Sequence, residues 1–182
     1  EWMKEAKRRG LMNLPTLPDA VQYFVSQESI DLFRQHRIFN AQELHARAEV
    51  ALENYCKVLH IEALTMIDMA RKQIVPAAME YTAAVTQLAV GKQNLNLPTE
   101  LERRTITQLS EATEQVALAT DKLEEVTEQH TKKETQQKEA EYFRDTVIPA
   151  MNALRQATDK LETEVGEKYW PFPVYSDLLF RV

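Results

Sequence analysis

A run of about 50 residues, 41–90, contains no glycine and a single proline, Pro76. Glycine and proline most often end a helix, so such a run can continue as one helix of roughly 75 Å. Asn40 is the predicted N-cap, and Glu43, three residues later, completes a capping box. Because a proline ring clashes with the carbonyl four residues earlier, here that of Lys72, the sequence predicts a kink near Pro76.

Composition supports a helical protein and excludes several functional classes. Only 3 of 182 residues are glycine, too few for phosphate-cradling loops or dinucleotide-binding turns, which need several positive φ angles. The net charge of −6 disfavours a nucleic-acid partner. No stretch approaches the roughly 20 apolar residues of a membrane span, so no membrane partner is expected. The single cysteine, Cys56, allows no internal disulfide and favours a reducing compartment.

Two further long helices are predicted after a turn at 91–98, GKQNLNLP. Thr99 is the expected N-cap of the second helix, with Glu102 at the capping-box position. Pro149 should bend the third helix or mark its start, and Gly166 should end it. The polar stretch 128–141 is either an exposed hairpin tip or a disordered linker. The predicted seams repeat at heptad spacing and consist of Leu109, Ala112, Val116, Ala119, Leu123 and Val126, followed by Phe143, Val147, Ala150, Leu154, Ala157 and Leu161.

The predicted fold is all-α. Three long helices, at about 40–90, 99–130 and 138–166, form an up-down-up bundle with a projecting coiled-coil-like hairpin. The base is built from short N-terminal helices and the tail, 167–182. We expect an N-terminal docking segment at 1–39 and a helical domain at 40–182. Within the docking segment, one helix should end at Gly10, a second should start at Pro18, and a third at Gln27 or Ser29.

The residue types that support catalysis or metal binding do not occur here in recognisable motifs. The histidines are expected to be solvated or singly hydrogen-bonded, with His60, beside Glu62, the best candidate for a buried and paired ring. Cys56 is expected to be a buried, inert thiol. Lys132 and Lys133 are only weak evidence for an anionic membrane. No catalytic, cofactor-binding or metal-binding residue is therefore assigned, and the four histidines are His36, His45, His60 and His130.

Two apolar stretches, 62–76 and 169–180, are harder to reconcile with an isolated helical domain. A helix that is apolar on most sides is usually surrounded on most sides. The aromatic tail would expose several hundred Å² of apolar surface if it stayed in water. It either folds back onto this domain or meets another domain or subunit. The candidate docking residues are Phe39, Leu64, Met66, Ile67, Met69, Ile74, Trp170, Phe172, Tyr175, Leu178, Leu179 and Phe180.

The same stretches resemble the C-terminal region of type III glutamine synthetase, the large bacterial form of that enzyme. The resemblance rests on Glu1-Trp2 with EAKRRGLMNL, on RIFN (37–40) and ELHAR (43–47), on HIEALTMIDMARKQIVP (60–76), and on YWPFPVYSDLLF (169–180). The hairpin at 80–165 contributes little to it. The start at Glu1-Trp2, without an initiator methionine or a signal run, fits a piece of a longer chain.

This resemblance implies a parent enzyme that ligates ammonia to glutamate with ATP through a γ-glutamyl phosphate. Mg²⁺ or Mn²⁺ would be held by carboxylates of an upstream catalytic barrel, and none of those motifs falls in this sequence. The family is cytoplasmic and assembles as a dodecamer of two stacked hexamers. The fragment would then be inactive by itself, with no cofactor of its own. It would serve packing, oligomer assembly or regulation, with the barrel and neighbouring subunits as partners.

Other interpretations remain open on the sequence. An independent coiled-coil interaction module would show the same heptads, although it would not need the aromatic tail. A stand-alone enzyme lacks the required constellations of side chains. A curved membrane-binding bundle is disfavoured by the acidic charge.

Overall fold

The structure is a computed structural model that describes residues 2–130, 134–173 and 175–180, with only the backbone described at 175, 176 and 180. Over these residues it is helical, without a β-strand, as predicted. The α-helices are α1 (Trp2–Arg8), α2 (Leu17–Phe24), α3 (Gln27–Gln35), α4 (Ala41–Met69), α5 (Val75–Asn94), α6 (Glu100–Glu128), α7 (Gln136–Tyr142), α8 (Ile148–Glu162) and α9 (Tyr175–Phe180).

The chain forms two compact units. Unit 1 consists of Glu1–His60 and His130–Thr146, and unit 2 of Ile61–Gln129 and Val147–Val182. The predicted division into 1–39 and 40–182 rests on the change in sequence character at residue 40, whereas the two units are defined by spatial contacts. That division stays a prediction.

The starts and ends of the short helices in unit 1 follow the sequence signals. Gly10 has φ +76°, and the N–H of Leu11 bonds the carbonyl of Ala6, which closes α1 with a left-handed cap. Pro18 lies in the first turn of α2. The hydroxyl of Ser26 accepts a hydrogen bond from the N–H of Ser29, so α3 begins at Gln27, the first of the two predicted positions.

The predicted capping box at the start of α4 is confirmed. The Asn40 side chain accepts a hydrogen bond from the Glu43 N–H at 2.9 Å, and the Glu43 carboxylate accepts one from the Asn40 N–H at 2.8 Å. Phe39 lies just upstream of this box, and the guanidinium of Arg47, in the second turn of α4, is 4.3 Å from the centre of its ring. Phe39 also packs on Phe33 at 5.6 Å between ring centres. The entry to α4 is therefore fixed by both polar and aromatic contacts.

The irregularity predicted at Pro76 takes the form of a π turn. Residues Ala70–Ile74 form this turn, and the Val75 N–H donates to the carbonyl of Ala70. A π turn contains one residue more than an α turn. It interrupts the series of α-helical hydrogen bonds just before Pro76, which has no N–H to donate and whose ring would clash with the carbonyl four residues earlier. The Arg71 guanidinium joins this turn to α6 through Glu124 at 2.6 Å and Asp121 at 2.8 Å.

The same arrangement precedes Pro149. A π turn at Phe143–Val147 separates α7 from α8, and Pro149 lies in the first turn of α8. In both cases the π turn ends two residues before the proline.

The polar stretch 128–141 is only partly what its composition suggests. From Gln136 it is helical, and it packs against α2. The Gln137 amide donates to the Pro18 carbonyl at 2.9 Å, and Arg144, farther along, pairs with Asp19 at 2.7 Å. Its second part is therefore neither an exposed tip nor a linker, because these contacts tie it into unit 1. Lys132 and Lys133 lie outside the described residues.

The turn between α5 and α6 corrects two expectations. Gly91 lies inside α5, and the helix ends instead at Asn94, with Asn96 in the left-handed region at φ 53°. The hydroxyl of Thr99 accepts no capping hydrogen bond from the helix N-terminus. Glu102 is buried and pairs with Lys92 across the turn, so its carboxylate does not reach back to Thr99.

The predicted heptad seam forms much of the core. Leu109, Ala112, Val116, Leu123 and Val126 are buried, as are the larger residues of the second seam, Phe143, Val147, Leu154 and Leu161. The predicted alanines at 119, 150 and 157 are only half-buried. In unit 2, α6 packs against both α5 and α8.

The tail contains more helix than its prolines suggest. Helix α8 ends at Glu162, before Gly166, which has φ −61°. Gly166 instead permits a close approach, because a Cβ there would lie 3.3 Å from the Tyr81 ring. The Tyr81 ring packs against Tyr169 with 5.1 Å between ring centres and 45° between ring planes, and Trp170 is buried. After the two prolines the chain forms α9.

Candidate docking surface

An apolar groove in unit 2 is lined by six of the twelve residues predicted to dock. It has a volume of about 570 Å³, within the range typical of ligand or peptide sites. One wall comes from the end of α4 and the following π turn, another from α8, and a third from the tail. Its apolar lining residues are Met66, Met69, Ala70, Ile74, Met151, Leu154, Trp170, Phe172, Pro173 and Leu178.

The polar lining of this groove is confined to one wall. Its polar residues lie on α8, where Arg155 and Asp159 form an exposed pair at 3.6 Å. No histidine or cysteine is among the described residues that line it. Methionine side chains adapt to partners of varied shape. The arrangement suits an apolar side chain or helix from a larger body.

The predicted docking residues divide into groups by exposure. Leu64, Leu178 and Leu179 are exposed, the last two by 67% and 68%. Ile67, Ile74 and Trp170 are buried within the chain and contribute to its own core. The half-buried group, available in part, is Phe39, Met66, Met69 and Phe172. The side chains of Tyr175 and Phe180 lie outside the described residues.

A second apolar groove, in unit 1, was predicted only as part of the general docking segment. Its volume is about 740 Å³. In the sequence, this groove is indicated only by the many apolar residues around the helix-breaking cluster 13–18. The helices there are too short for a repeating pattern to show which side chains face water. Its large apolar lining residues are Trp2, Met3, Leu11, Met12, Leu14 and Tyr23.

A third apolar surface lies around the turn between α5 and α6 and was missed from the sequence. Each of its five members is more than half exposed. The polar residues interspersed with them, as in GKQNLNLP, gave the segment the composition of an ordinary turn. The five are Leu88, Val90, Leu95, Leu97 and Leu101.

The titratable groups of unit 1 agree only partly with expectation. Cys56 is buried, and burial raises the pKa of its thiol to about 11, which is the inert state predicted. His60 is half-buried, and its ring packs against that of His130 with 4.5 Å between ring centres and an angle of 39° between the ring planes. Burial and the neighbouring His130 lower the pKa of His60. Across the described ranges, no group of three or more His, Cys, Asp or Glu is placed to hold a metal ion.

Comparison with known protein families identifies the relationship. The family model described as glutamine synthetase C-terminal domain matches residues 1–93, which include the N-terminal segment, α4 and most of α5. The chain belongs to the glutamine synthetase C-terminal domain family. The resemblance to type III glutamine synthetase inferred from the sequence is confirmed.

Three relatives extend the match over at least 99% of this chain. A glutamine synthetase of Butyrivibrio fibrisolvens is 37% identical over 184 residues, covering 100% of this chain and 26% of the relative. A glutamine synthetase of Bacteroides fragilis (strain YCH46) is 30% identical, covering 99% of this chain and 26% of the relative. A type-3 glutamine synthetase of Dictyostelium discoideum is 32% identical, covering 99% and 25%. The chain thus spans about a quarter of the length of these relatives.

No helix within the described ranges combines the length and the apolar character needed to cross a bilayer.

Proposed function

We propose that this chain is the non-catalytic C-terminal region of a glutamine synthetase that makes glutamine from glutamate, ammonia and ATP. The observation that carries the proposal is the family match together with relatives about four times as long. The larger part of such a parent would hold ATP and Mg²⁺ or Mn²⁺ in its catalytic barrel. We place the parent in the cytoplasm.

Within the parent, this region packs against the catalytic barrel and neighbouring subunits and thereby supports assembly of the dodecamer. The support is the amount of apolar surface left uncovered by the chain itself. Leaving Leu178, Leu179 and the α5–α6 leucines in water forgoes about 25 cal/mol for each Å² that a partner could cover. Regulation through the same surfaces is part of the proposal, as is the up-down-up order of the three long helical segments.

The direct test removes residues 40–182 from the full-length parent and measures its mass by analytical ultracentrifugation and its glutamine synthesis. We expect loss of the ring assembly with a fall in activity. A truncated enzyme that kept both would contradict the proposal.

A sharper test uses exposed residues, because their substitution leaves the core of this chain intact. Leu178→Asp combined with Leu179→Asp should weaken assembly of the parent. Leu118→Asp is the matched control, because Leu118 is also exposed but lies on α6, and this substitution should not weaken assembly. If the two variants assembled equally well, the tail would not be part of the docking surface. The truncation experiment would still test whether the rest of the region supports assembly.

A further inference from the structure

Two histidines from distant parts of the sequence stack on each other in unit 1. His60 belongs to α4 and His130 follows α6, and their ring planes are inclined by 39° with 4.5 Å between centres. His130 also packs on Phe143 at 5.4 Å. The stack therefore links α4, through His130, to Phe143.

The charges around the stack are unequally distributed between the two rings. The Glu139 carboxylate lies 3.9 Å from Nε2 of His130. By contrast, Nδ1 of His60 is buried and has no hydrogen-bond partner in the described part of the chain. A proton on His130 thus has a nearby anion, whereas a proton on Nδ1 of His60 would be buried without an acceptor.

Among the described residues that line the small cavity beside the rings, Glu139 is the carboxylate that faces them without a lysine partner of its own. This cavity has a volume of about 210 Å³. Glu53 is paired with Lys57 at 2.6 Å on the exposed side of α4. The Cys56 thiol stays protonated, and Gln136 carries no charge.

We propose that the stacked His60–His130 pair is an acid-sensitive fastener, which holds the segment 134–146 on α4 at neutral pH and releases it when both rings are protonated. A positive charge on His130 would lie beside the Glu139 carboxylate, 3.9 Å from Nε2. A second positive charge, on His60, would place two imidazolium ions in contact, and this repulsion is relieved by separating the segment from α4.

The direction of the pH dependence follows from the pKa of His60, which burial and then His130 lower, while Glu139 opposes the shift. The open state, in which His60 is solvated, binds the second proton more readily than the closed state. Closure is therefore favoured above the ordinary imidazole pKa of about 6.5 and is lost as the pH falls through the lowered pKa. Between the ordinary imidazole pKa and the lowered pKa of His60, the open fraction should rise by up to about tenfold for each unit by which the pH falls.

The test measures hydrogen exchange at imidazole C2 and at backbone amides by mass spectrometry, between pH 8 and 5, on the 182-residue chain and on the full-length parent. In the unmodified protein, His60 should titrate below its ordinary pKa. Amides of 134–146 should lose protection with acidification, after correction for intrinsic exchange.

His130→Phe keeps an aromatic ring between His60 and Phe143 but removes the charge, so the acid-dependent loss of protection should disappear. His130→Gln provides a second variant in case the larger ring disturbs packing, and it should also abolish the loss. His45→Gln, at an exposed position of the same helix, is the control and should behave as the unmodified protein.

Two results would overturn the proposal. One is titration of His60 at its ordinary pKa in the unmodified protein. The other is an unchanged acid-dependent loss of protection in both His130 variants.

Discussion

At the scale of single residues, the two predicted capping boxes behave differently, and only the first forms both of its hydrogen bonds. Asn40 and Glu43 satisfy each other's backbone donors, and the sequence spacing alone predicted this. Thr99 and Glu102 have the same spacing, but a nearby lysine outcompetes the cap, because Lys92 offers Glu102 a full charge. That contact depends on how the chain turns at 95–99 and could not be predicted from the spacing.

Asn40→Ala should lower the free energy of unfolding by about 1 kcal/mol, since it leaves the Glu43 N–H without its acceptor. Urea denaturation followed by circular dichroism measures this loss. Gln42→Ala, two residues later at an exposed position in the first turn of α4, is the control and should change stability little. Equal stability of the two variants would show that the cap contributes nothing.

The glycines at 91 and 166 should respond oppositely to the same substitution. Gly91→Ala should raise the free energy of unfolding by about 0.5–1 kcal/mol, because the position is helical and a Cβ there meets no atom within 4 Å. Gly166→Ala should not share this gain, because its Cβ would press on Tyr81, whose ring is already stacked on Tyr169. Thermal denaturation of the two variants in parallel checks the contrast, and a similar gain in both would contradict it.

At the scale of elements, the sequence predicted where helices are interrupted but not how. Pro76 and Pro149 marked the two sites, yet a proline alone is compatible with a kink, a break or a new start. The structure uses a π turn in both places. The choice depends on tertiary packing on both sides of the turn, such as the contacts of Arg71 with α6, and no local pattern encodes it.

Deletion of Gln73, an exposed residue of the first π turn, tests this account. The deletion should convert the π turn to an α turn and expose the preceding carbonyls to the proline ring, which costs about 3 kcal/mol or more of unfolding free energy. Combining the deletion with Pro76→Ala should restore much of that loss. Pro76→Ala alone should have a smaller effect, because the π turn already accommodates the ring.

The four proteins, including the unmodified chain, form a double-mutant cycle measured by urea denaturation. Simple additivity of the two changes would contradict a coupling between the π turn and the proline.

At the scale of the whole molecule, the all-helical class and the family could be predicted from the sequence, whereas the positions of the exposed apolar surfaces could not. The heptad seams predicted many buried residues because burial repeats with the helical period. The exposed leucines of the α5–α6 turn carry no such period, and only the structure shows that nothing in the described chain covers them. The same holds for the split of the tail between buried Trp170 and exposed Leu178.

Because these surfaces are uncovered, the isolated 182-residue chain should associate at high concentration. Sedimentation velocity over a hundredfold concentration range should show a rise in mean mass. Leu178→Asp with Leu179→Asp should reduce the rise, and Leu118→Asp should reduce it less. A chain that stays monomeric throughout would indicate that the apolar surfaces are too dispersed to bind a partner.

The discontinuity of unit 1 has a consequence for the order of events during synthesis. Its two parts, Glu1–His60 and His130–Thr146, are separated by about 70 residues of intervening chain. The hairpin of α5 and α6, by contrast, joins neighbours in sequence and can form as soon as it leaves the ribosome. The first sixty residues must therefore wait, incompletely packed, until translation has passed Thr146 and the missing part of their core arrives.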